Sequence, residues 1–239
     1  MIIEKSMKPL FGLNSTYTNE SERDKYSNLE VQRMFNIYDA AMKVISTKLE
    51  ILESEFRVMG KHNPIHHIES RLKSSESIVR KLKSKGLDCV LSNITQNIFD
   101  VVGLRIVCPY LEDVYVITDM LLSHSDITLL RKKDYIKNPK PNGYRSMHLV
   151  ILIPVVLYHG TEQVPVEIQI RTIAMDMWAS LEHELYYKTN RGKDRQIEEK
   201  LFDCSEKLAA IDIQMGEMFD NLKRIDERNN LQLMESGSF

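Results

Sequence analysis

The segment VPVEIQIRT, residues 164–172, alternates without a slip. Val164, Val166, Ile168 and Ile170 take one face of a strand, and Glu167, Gln169 and Arg171 take the other. The apolar face demands a core on one side of a sheet. The other face sets three consecutive polar groups in the middle of that sheet, where they are costly unless something satisfies them. A chain with this segment has to build a sheet that is buried on one side and polar on the other.

The stretch before it, KPNGYRSMHLVILIPV (140–155), starts as a basic turn and ends as an apolar strand. By the same alternation Tyr144, Ser146 and His148 share a face. LYHGTEQ separates the two segments and carries the turn signal His159-Gly160, which predicts a hairpin. Two readings of the joined polar faces stand: a solvated strand end, or the floor of a binding site.

Further upstream, VVGLRIVC and DITLLRK read as strands on either side of the helical LEDVYVITDMLLSH. A strand-helix-strand unit beside a hairpin predicts an α+β fold with a mixed sheet of about five strands, flanked by helices. SSESIVRKLKSKG predicts a basic helix with Ser74 or Ser75 as cap and Gly86 as stop. Thr172 is placed to cap a helix through Trp178 to Tyr187, which TNRGKD breaks.

Long helices close both ends. Phe35, Tyr38, Met42, Ile45, Leu49, Leu52, Phe56 and Met59 keep a heptad period, as do Ile197, Leu201, Cys204, Leu208, Ile211, Met215, Met218, Leu222 and Ile225. Such seams either pack on the sheet and on each other or form an oligomer contact. The expected organisation is a polar N-terminal arm over 1–28, one domain over 29–228 that includes the terminal helices, and a frayed tail over 229–239.

With 43% hydrophobic and 28% charged residues and a net charge of −2, the chain reads as a soluble globular protein whose overall charge points to no polyanionic partner. The longest apolar run, from Leu149 to Tyr158, is interrupted by Pro154 and too short for a membrane span. The first ten residues do not resemble a secretory signal, which predicts a cytoplasmic protein. Cys89, Cys108 and Cys204 are odd in number and far apart, which argues against a disulfide framework.

Candidate chemistry centres on two carboxylates. Asp100 stands just before VVGLRIVC, in which Arg105 follows, and Glu167 lies on the polar strand face. Together they could hold Mg²⁺, which takes few carboxylate oxygens and keeps positions for water and phosphate. Alternatively Asp100 is a turn residue and Glu167 a partner of Arg171. Basic clusters flank them: Arg71, Lys73, Arg80, Lys81, Lys83 and Lys85, and Arg131, Lys132, Lys133, Lys137 and Lys140. Lys73, Ser77 and Lys81 fall four apart, as on one helix stripe, which is either a solvated face or a phosphate cradle. Cations, paired carboxylates and the aromatic Tyr144 together favour phosphoryl or nucleotidyl chemistry. His62 and His66, also four apart, invite a zinc reading that Pro64 between them opposes. The competing class is a single-stranded RNA-binding regulator that uses the basic clusters and Tyr144 as a stacking platform.

ESRLKSSESIVRKL, DVVGLRIVC, KPNGYRSMHLV and VEIQIRTIAMDMWASLEHELYYK resemble, in order, the motifs of the RelA/SpoT-type alarmone synthetases, and the short chain resembles their small single-domain members. The resemblance covers about residues 35–225 and implies a nucleotidyltransferase-like sheet. It also implies transfer of the β,γ-pyrophosphate of ATP to the 3′-hydroxyl of GDP or GTP, releasing AMP and forming ppGpp or pppGpp in a bacterial stress response. By that resemblance Arg71 and Arg105 sandwich the adenine, and Lys73, Ser77 and Lys81 hold the ATP phosphates. Asp100 and Glu167 bind Mg²⁺, and Glu167 accepts the proton of the attacking hydroxyl. Tyr144 stacks on the guanine with Lys140, Asn142 and His148 around the acceptor, while Arg145, Gln169 and Arg171 support the site. The resemblance further implies a homotetramer built through the terminal helices. The hydrolase domain of the long relatives, with its His-Asp pair, is not expected.

Overall fold

The computed structural model describes residues 20–188 and 195–236. The hairpin forms as expected. Strands β4 (Met147–Leu157) and β5 (Gly160–Thr172) are joined by Tyr158 and His159 alone and pair antiparallel along their whole length. β5 also pairs, in parallel, with β2 (Val102–Cys108), and the edges are β1 (His67–Leu72) and β3 (Thr128–Asp134). The order is β1-β2-β5-β4-β3, with every contact except β2–β5 antiparallel.

Register carries the alternation of VPVEIQIRT across the sheet. Residues directly opposite one another share a face, so one row runs Arg71, Gly103, Glu167, Val150, Arg131 and the next runs Glu69, Arg105, Gln169, His148, Lys133. The other face presents Leu104, Ile106, Ile168, Ile170, Met147 and Leu149, all buried. Helix α1 (Glu20–Val58) lays Met34, Ile37, Tyr38, Ala41, Ile45 and Leu49 against it, joined by Val114, Ile117 and Leu121 of α4 (Leu111–Ser123). The seam of α1 is thus spent on the sheet.

Helix α2 (Ser75–Ser84) starts on Ser74, whose hydroxyl accepts from the Ser77 amide, and stops before Gly86, where φ is +68°. Thr172 accepts the Met175 amide at the head of α5 (Ile173–Lys188). Helix α6 (Arg195–Ser236) packs on α5 and α4. Its Leu201 and Ser205 are buried, but Ile211, Met215, Met218, Leu222 and Ile225 of the same heptad seam remain exposed.

Four details depart from the sequence reading. HIESRL forms strand β1, although it shows no clean alternation; an edge strand with three exposed residues has little pattern to show. The short helix α3 (Leu91–Asn97) was not signalled, since its Val90 cap position makes no side-chain capping bond. β4 begins at Met147, so Tyr144 and Ser146 precede it; Ser146 turns inward, buried, and its hydroxyl donates to the Ile170 carbonyl (3.2 Å). Finally, α1 begins at Glu20 and α6 continues to Ser236, because no Gly or Pro falls within 20–28 or 229–236. The rest of the expected arm (1–19), the TNRGKD break and residues 237–239 lie outside the described residues.

His62 and His66 have separate partners. His62 Nε2 meets the Asp113 carboxylate at 2.9–3.0 Å, and its ring lies against Phe219 of α6; His66 Nδ1 meets His67 Nδ1. His62 ties the loop after α1 to α4 and α6. Among the described residues no helix is long and apolar enough to cross a membrane.

Candidate active site

At one end of the polar face, Lys73 and Lys81 converge on a single oxygen. Their ammonium groups lie 2.8 and 2.6 Å from Asp100 Oδ2. The sequence spacing suggested one helix stripe, but Lys73 precedes the Ser74 cap and only Ser77 and Lys81 belong to α2. Lys73 is fixed instead by its backbone amide, which donates to the Val101 carbonyl beside Asp100. Burial alone would push the Asp100 carboxyl up, yet the hydrogen bonds and charges of the two lysines outweigh it and hold the group below the ordinary carboxylate range.

The other Asp100 oxygen, Oδ1, is buried and has no hydrogen-bond partner. An orphaned carboxylate oxygen in a cationic pocket is a free ligand position. No three His, Cys, Asp or Glu among the described residues form a metal cluster. Magnesium does not need one, since it takes few carboxylate oxygens and keeps its remaining positions for water and phosphate.

The depressed Asp100 fixes a pH dependence. A carboxyl whose folded pKa lies below its unfolded value of about 3.9 stabilises the fold above that pH and loses the contribution as pH falls through the folded value. The thermal-midpoint difference between the wild type and Asp100→Asn is therefore expected to be full above about pH 5 and to shrink below about pH 4, as scanned by calorimetry. A difference independent of pH would place the ion pairs elsewhere.

Beside this clamp, Gly103 leaves the space that Arg71 uses. A Cβ at Gly103 would lie 3.4 Å from Arg71 Nε, so the guanidinium crosses β2 at van der Waals range. Arg105, one row further, pairs with Glu69 (3.0 Å) and has its Nε 3.3 Å from Asp176 Oδ1. The second approach is an ion pair without hydrogen-bond alignment, since Arg105 Nε has no hydrogen-bond partner. Arg71, Arg105, Gly103 and Glu167 line one pocket.

Toward the other end stands Tyr144. Arg171 Nη2 donates to Tyr144 Oη (2.6 Å) and to Gln169 Oε1 (2.6 Å), while its Nη1 meets Asp176 Oδ1 (3.1 Å). Arginine can only donate, so the phenol accepts from it and turns its own proton to His148 Nε2, 2.8 Å away. The imidazole proton then sits on Nδ1, 4.0 Å from Glu167 Oε1. The same reasoning orients Gln169, whose amide nitrogen donates to Glu167 Oε2 (3.3 Å). Arg171 thus fixes Tyr144, His148, Gln169 and Glu167 in one polar chain.

Burial, followed by the charges of Arg171, Lys140 and Lys133, pushes the His148 pKa down to about 3. His148 is therefore neutral when folded but takes up a proton near pH 6.5 when unfolded. Between those values the unfolded state binds more protons, so stability falls as pH drops. His148→Asn is expected to flatten the fall in thermal midpoint between pH 6.5 and 5, a slope of at most about 1.4 kcal/mol per pH unit in the wild type. Parallel pH curves for the two proteins would show that the imidazole does not stay neutral.

Lys140 Nζ lies 4.5 Å above the Tyr144 ring and 4.9 Å above that of Tyr135. Asn142 accepts the Tyr144 amide and donates to Glu182 (3.1 Å), which shapes the turn. Arg145 leaves the site: it donates to the Gly143 carbonyl, Ser205 Oγ and Glu206 of α6. Ser205 Oγ donates to the same Gly143 carbonyl, so α6 staples the turn.

Gly143 has φ +90°, and a Cβ there would lie 2.7 Å from Ser205 Cβ. Gly143→Ala combines that collision with a left-handed strain of about 1–2 kcal/mol. The expected result is a lowered thermal midpoint. An unchanged midpoint would separate the turn from α6.

Sequence reasoning placed Arg71, Lys73, Ser77, Lys81, Asp100, Arg105, Lys140, Asn142, Tyr144, His148, Glu167, Gln169 and Arg171 on or beside this face. It missed Glu69 and Asp176, the carboxylates that hold Arg105, and Tyr135, which meets His148 edge-on at 5.1 Å. Glu69 lay in an unread strand. Asp176 reads in sequence as an ordinary acid of a first helical turn.

Known proteins share this sequence region and this fold. The model of the region found in RelA / SpoT proteins matches residues 70–192, which span Arg71 through α5. The GTP pyrophosphokinase YwaC of Bacillus subtilis is 44% identical over 179 residues, covering 75% of this chain and 85% of that protein. The crystal structure of small alarmone synthetase 2 from B. subtilis superposes with TM-score 0.72 at 42% identity, over 80% of this chain and 98% of that one. Small alarmone synthetase 1 from the same organism, bound to its product pppGpp, gives 0.74 at 33% identity over 80% and 97%. The ordered motifs, the five-stranded sheet and these likenesses together make this chain a member of the RelA/SpoT family.

Proposed function

We propose that this protein transfers the β,γ-pyrophosphate of ATP to the 3′-hydroxyl of GDP or GTP, releasing AMP and forming ppGpp or pppGpp. The observation that carries the reading is the position of Glu167 between two differently equipped ends of one polar face. The Asp100–Lys73–Lys81 clamp with Arg71 and Arg105 lies toward β1 and α2; the Tyr144–His148–Lys140 group lies toward β4 and the turn before it.

In this reading Arg71 and Arg105 stack on the adenine with their planar guanidinium groups. Lys73, Lys81 and Ser77 take the ATP phosphates, which exchange for Asp100 as partners of the lysines. Tyr144 stacks on the guanine, and Lys140 and Asn142 set the turn beneath the acceptor. Asp100 and Glu167 would hold Mg²⁺, which would neutralise charge on the polyphosphate and orient it. Glu167 accepts the proton of the 3′-hydroxyl, while the neutral His148 keeps that carboxylate company without competing for the proton. With both nucleotides held on one rigid sheet, positioning and charge neutralisation supply most of the rate enhancement for in-line attack on the β-phosphorus.

The exposed half of the α6 seam supports a homo-oligomer, a tetramer by family likeness, working in the cytoplasm. One domain that includes both terminal helices, α1 and α6, accounts for both the site and that contact.

Incubating the protein with ATP, GDP and Mg²⁺ and separating nucleotides by anion exchange tests the activity. Equimolar AMP and a guanosine nucleotide more anionic than GDP are the expected products. No product from either GDP or GTP, with both nucleotides at millimolar concentration, would overturn the assignment.

A further inference from the structure

We propose that Asp176 is a positioning residue that couples the donor and acceptor nucleotide sites, because one of its oxygens holds the guanidinium groups of both Arg105 and Arg171. The inference rests on the synthetase reading and deepens it.

Asp176 Oδ1 lies 3.3 Å from Arg105 Nε and 3.1 Å from Arg171 Nη1. These two arginines face different substrates. Arg105 stands in the strand beside Arg71, at the adenine end; Arg171 holds the phenol of Tyr144 at 2.6 Å and its guanidinium lies 5.1 Å from that ring's centre, at the guanine end. Two like charges drawn to one oxygen repel each other once the carboxylate between them is lost. The shared oxygen lets each arginine adopt its place only with the other accommodated.

Asp176 is itself well fixed. It lies in the first turn of α5, one turn beyond Thr172, and that turn is locked by the Met175 amide on Thr172 Oγ1 and by the Thr172 hydroxyl on Asp212 of α6 (2.6 Å). A carboxylate on a rigid helix start is a better pivot than one on a loop. Arg105 has a second partner in the more exposed Glu69, so it stays anchored at one end while its Nε, paired with Asp176 but without a hydrogen bond, can shift when a base stacks on it. A stacked adenine that moves Arg105 against Asp176 changes the hold on Arg171, and hence on Tyr144. The coupling is reciprocal by thermodynamic necessity: GDP must tighten the ATP site by the factor by which ATP tightens the GDP site.

The test measures equilibrium binding of α,β-methylene ATP with and without saturating GDP, in the presence of Mg²⁺, by calorimetry. The expected wild-type result is a several-fold mutual tightening that falls toward one in Asp176→Asn, with a native far-UV spectrum. In an Arg105→Met background, Asp176→Asn is expected to weaken analogue binding no further, whereas a merely structural loss weakens it equally in both backgrounds. Arg105→Met alone covers the case in which Asp176→Asn does not fold: it is expected to weaken GDP binding although Arg105 serves the donor nucleotide. Unchanged GDP binding in that variant, or mutual tightening that survives in Asp176→Asn, overturns the coupling. A wild type that makes alarmone but shows no mutual tightening sinks the coupling and leaves the synthetase reading standing; a wild type that makes none sinks both.

Discussion

Glu167→Gln is expected to lower turnover by about 10²–10⁴-fold, the usual contribution of a positioned proton acceptor, and by more where a metal ligand is lost with it. The substitution is close to isosteric, so the fold has no cause to change. Glu167 sits in the middle of β5, paired with Gly103 on one side and Val150 on the other, and its backbone bonds do not depend on the side chain. Its neighbours also tolerate the amide: Gln169 donates to Oε2, and an amide oxygen can accept that proton as well. What disappears is the charge that, in the proposed mechanism, takes a proton and holds a cation. The measurement is AMP release under saturating ATP and GDP, beside the thermal midpoint and binding of α,β-methylene ATP without added metal. Those last two are expected to stay near wild type, because in the proposed arrangement Arg71 and Arg105 grip the base independently of Glu167. Turnover within a few-fold of wild type would remove Glu167 from the chemistry and send the search for a proton acceptor elsewhere.

The place of Glu167 on a polar strand face was available from nine letters of sequence, while its role as proton acceptor came from the family resemblance. Strict alternation in VPVEIQIRT is a backbone-level fact: in any sheet, Glu167, Gln169 and Arg171 leave together, and Val164, Val166, Ile168 and Ile170 enter the core together. The hairpin followed from a two-residue turn, and the α2 and α5 starts from Ser74 and Thr172, because caps are local chemistry. Long-range pairing was not legible. Nothing in HIESRL announces a strand, since an edge strand needs no apolar face, yet β1 brings Glu69 and Arg71 into register with Arg105 and Gly103. Nor could spacing reveal that Lys73 and Lys81 share one Asp100 oxygen, since Lys73 lies outside the helix.

The turn KPNGYRS shows the limit in a single stretch. Alternation placed Tyr144, Ser146 and His148 together, which holds for the first and last of them: Tyr144 Oη and His148 Nε2 meet at 2.8 Å. Ser146 turns into the core because the strand has not yet begun there and its hydroxyl finds the Ile170 carbonyl. Alternation applies to extended backbone, and residues 141–146 are a turn and link, held by Gly143 and α6. Arg145 likewise reads as a site cation but is used to fasten that turn to Ser205 and Glu206, partners some sixty residues away.

Arg171→Met is expected to be the most damaging single change to the fold of the site. The arginine is nearly fully buried and donates to Asp176, Tyr144 and Gln169 at once. Methionine matches the stem but supplies none of the donors. Removing one member of a buried charge pair typically costs about 3–5 kcal/mol, because the partner is left uncompensated, which in a domain of this size lowers the thermal midpoint by roughly 6–20 °C. The consequences for the site are directional. Tyr144 loses the donor that forces its proton toward His148, Gln169 is free to flip against Glu167, and one of the charges that keeps His148 neutral is gone, so the imidazole pKa rises. Acceptor binding is therefore expected to weaken strongly, and its acid limit is expected to move to higher pH than in the wild type, although burial, the larger cause of the depressed His148 pKa, remains. Arg171→Lys separates the two causes: it restores a positive charge but not the fork, so it should recover much of the stability and little of the orientation of Tyr144 and Gln169. If Arg171→Met instead melts within 2 °C of the wild type and binds GDP normally, the chain from Asp176 to Glu167 is a set of surface contacts and does not organise the site.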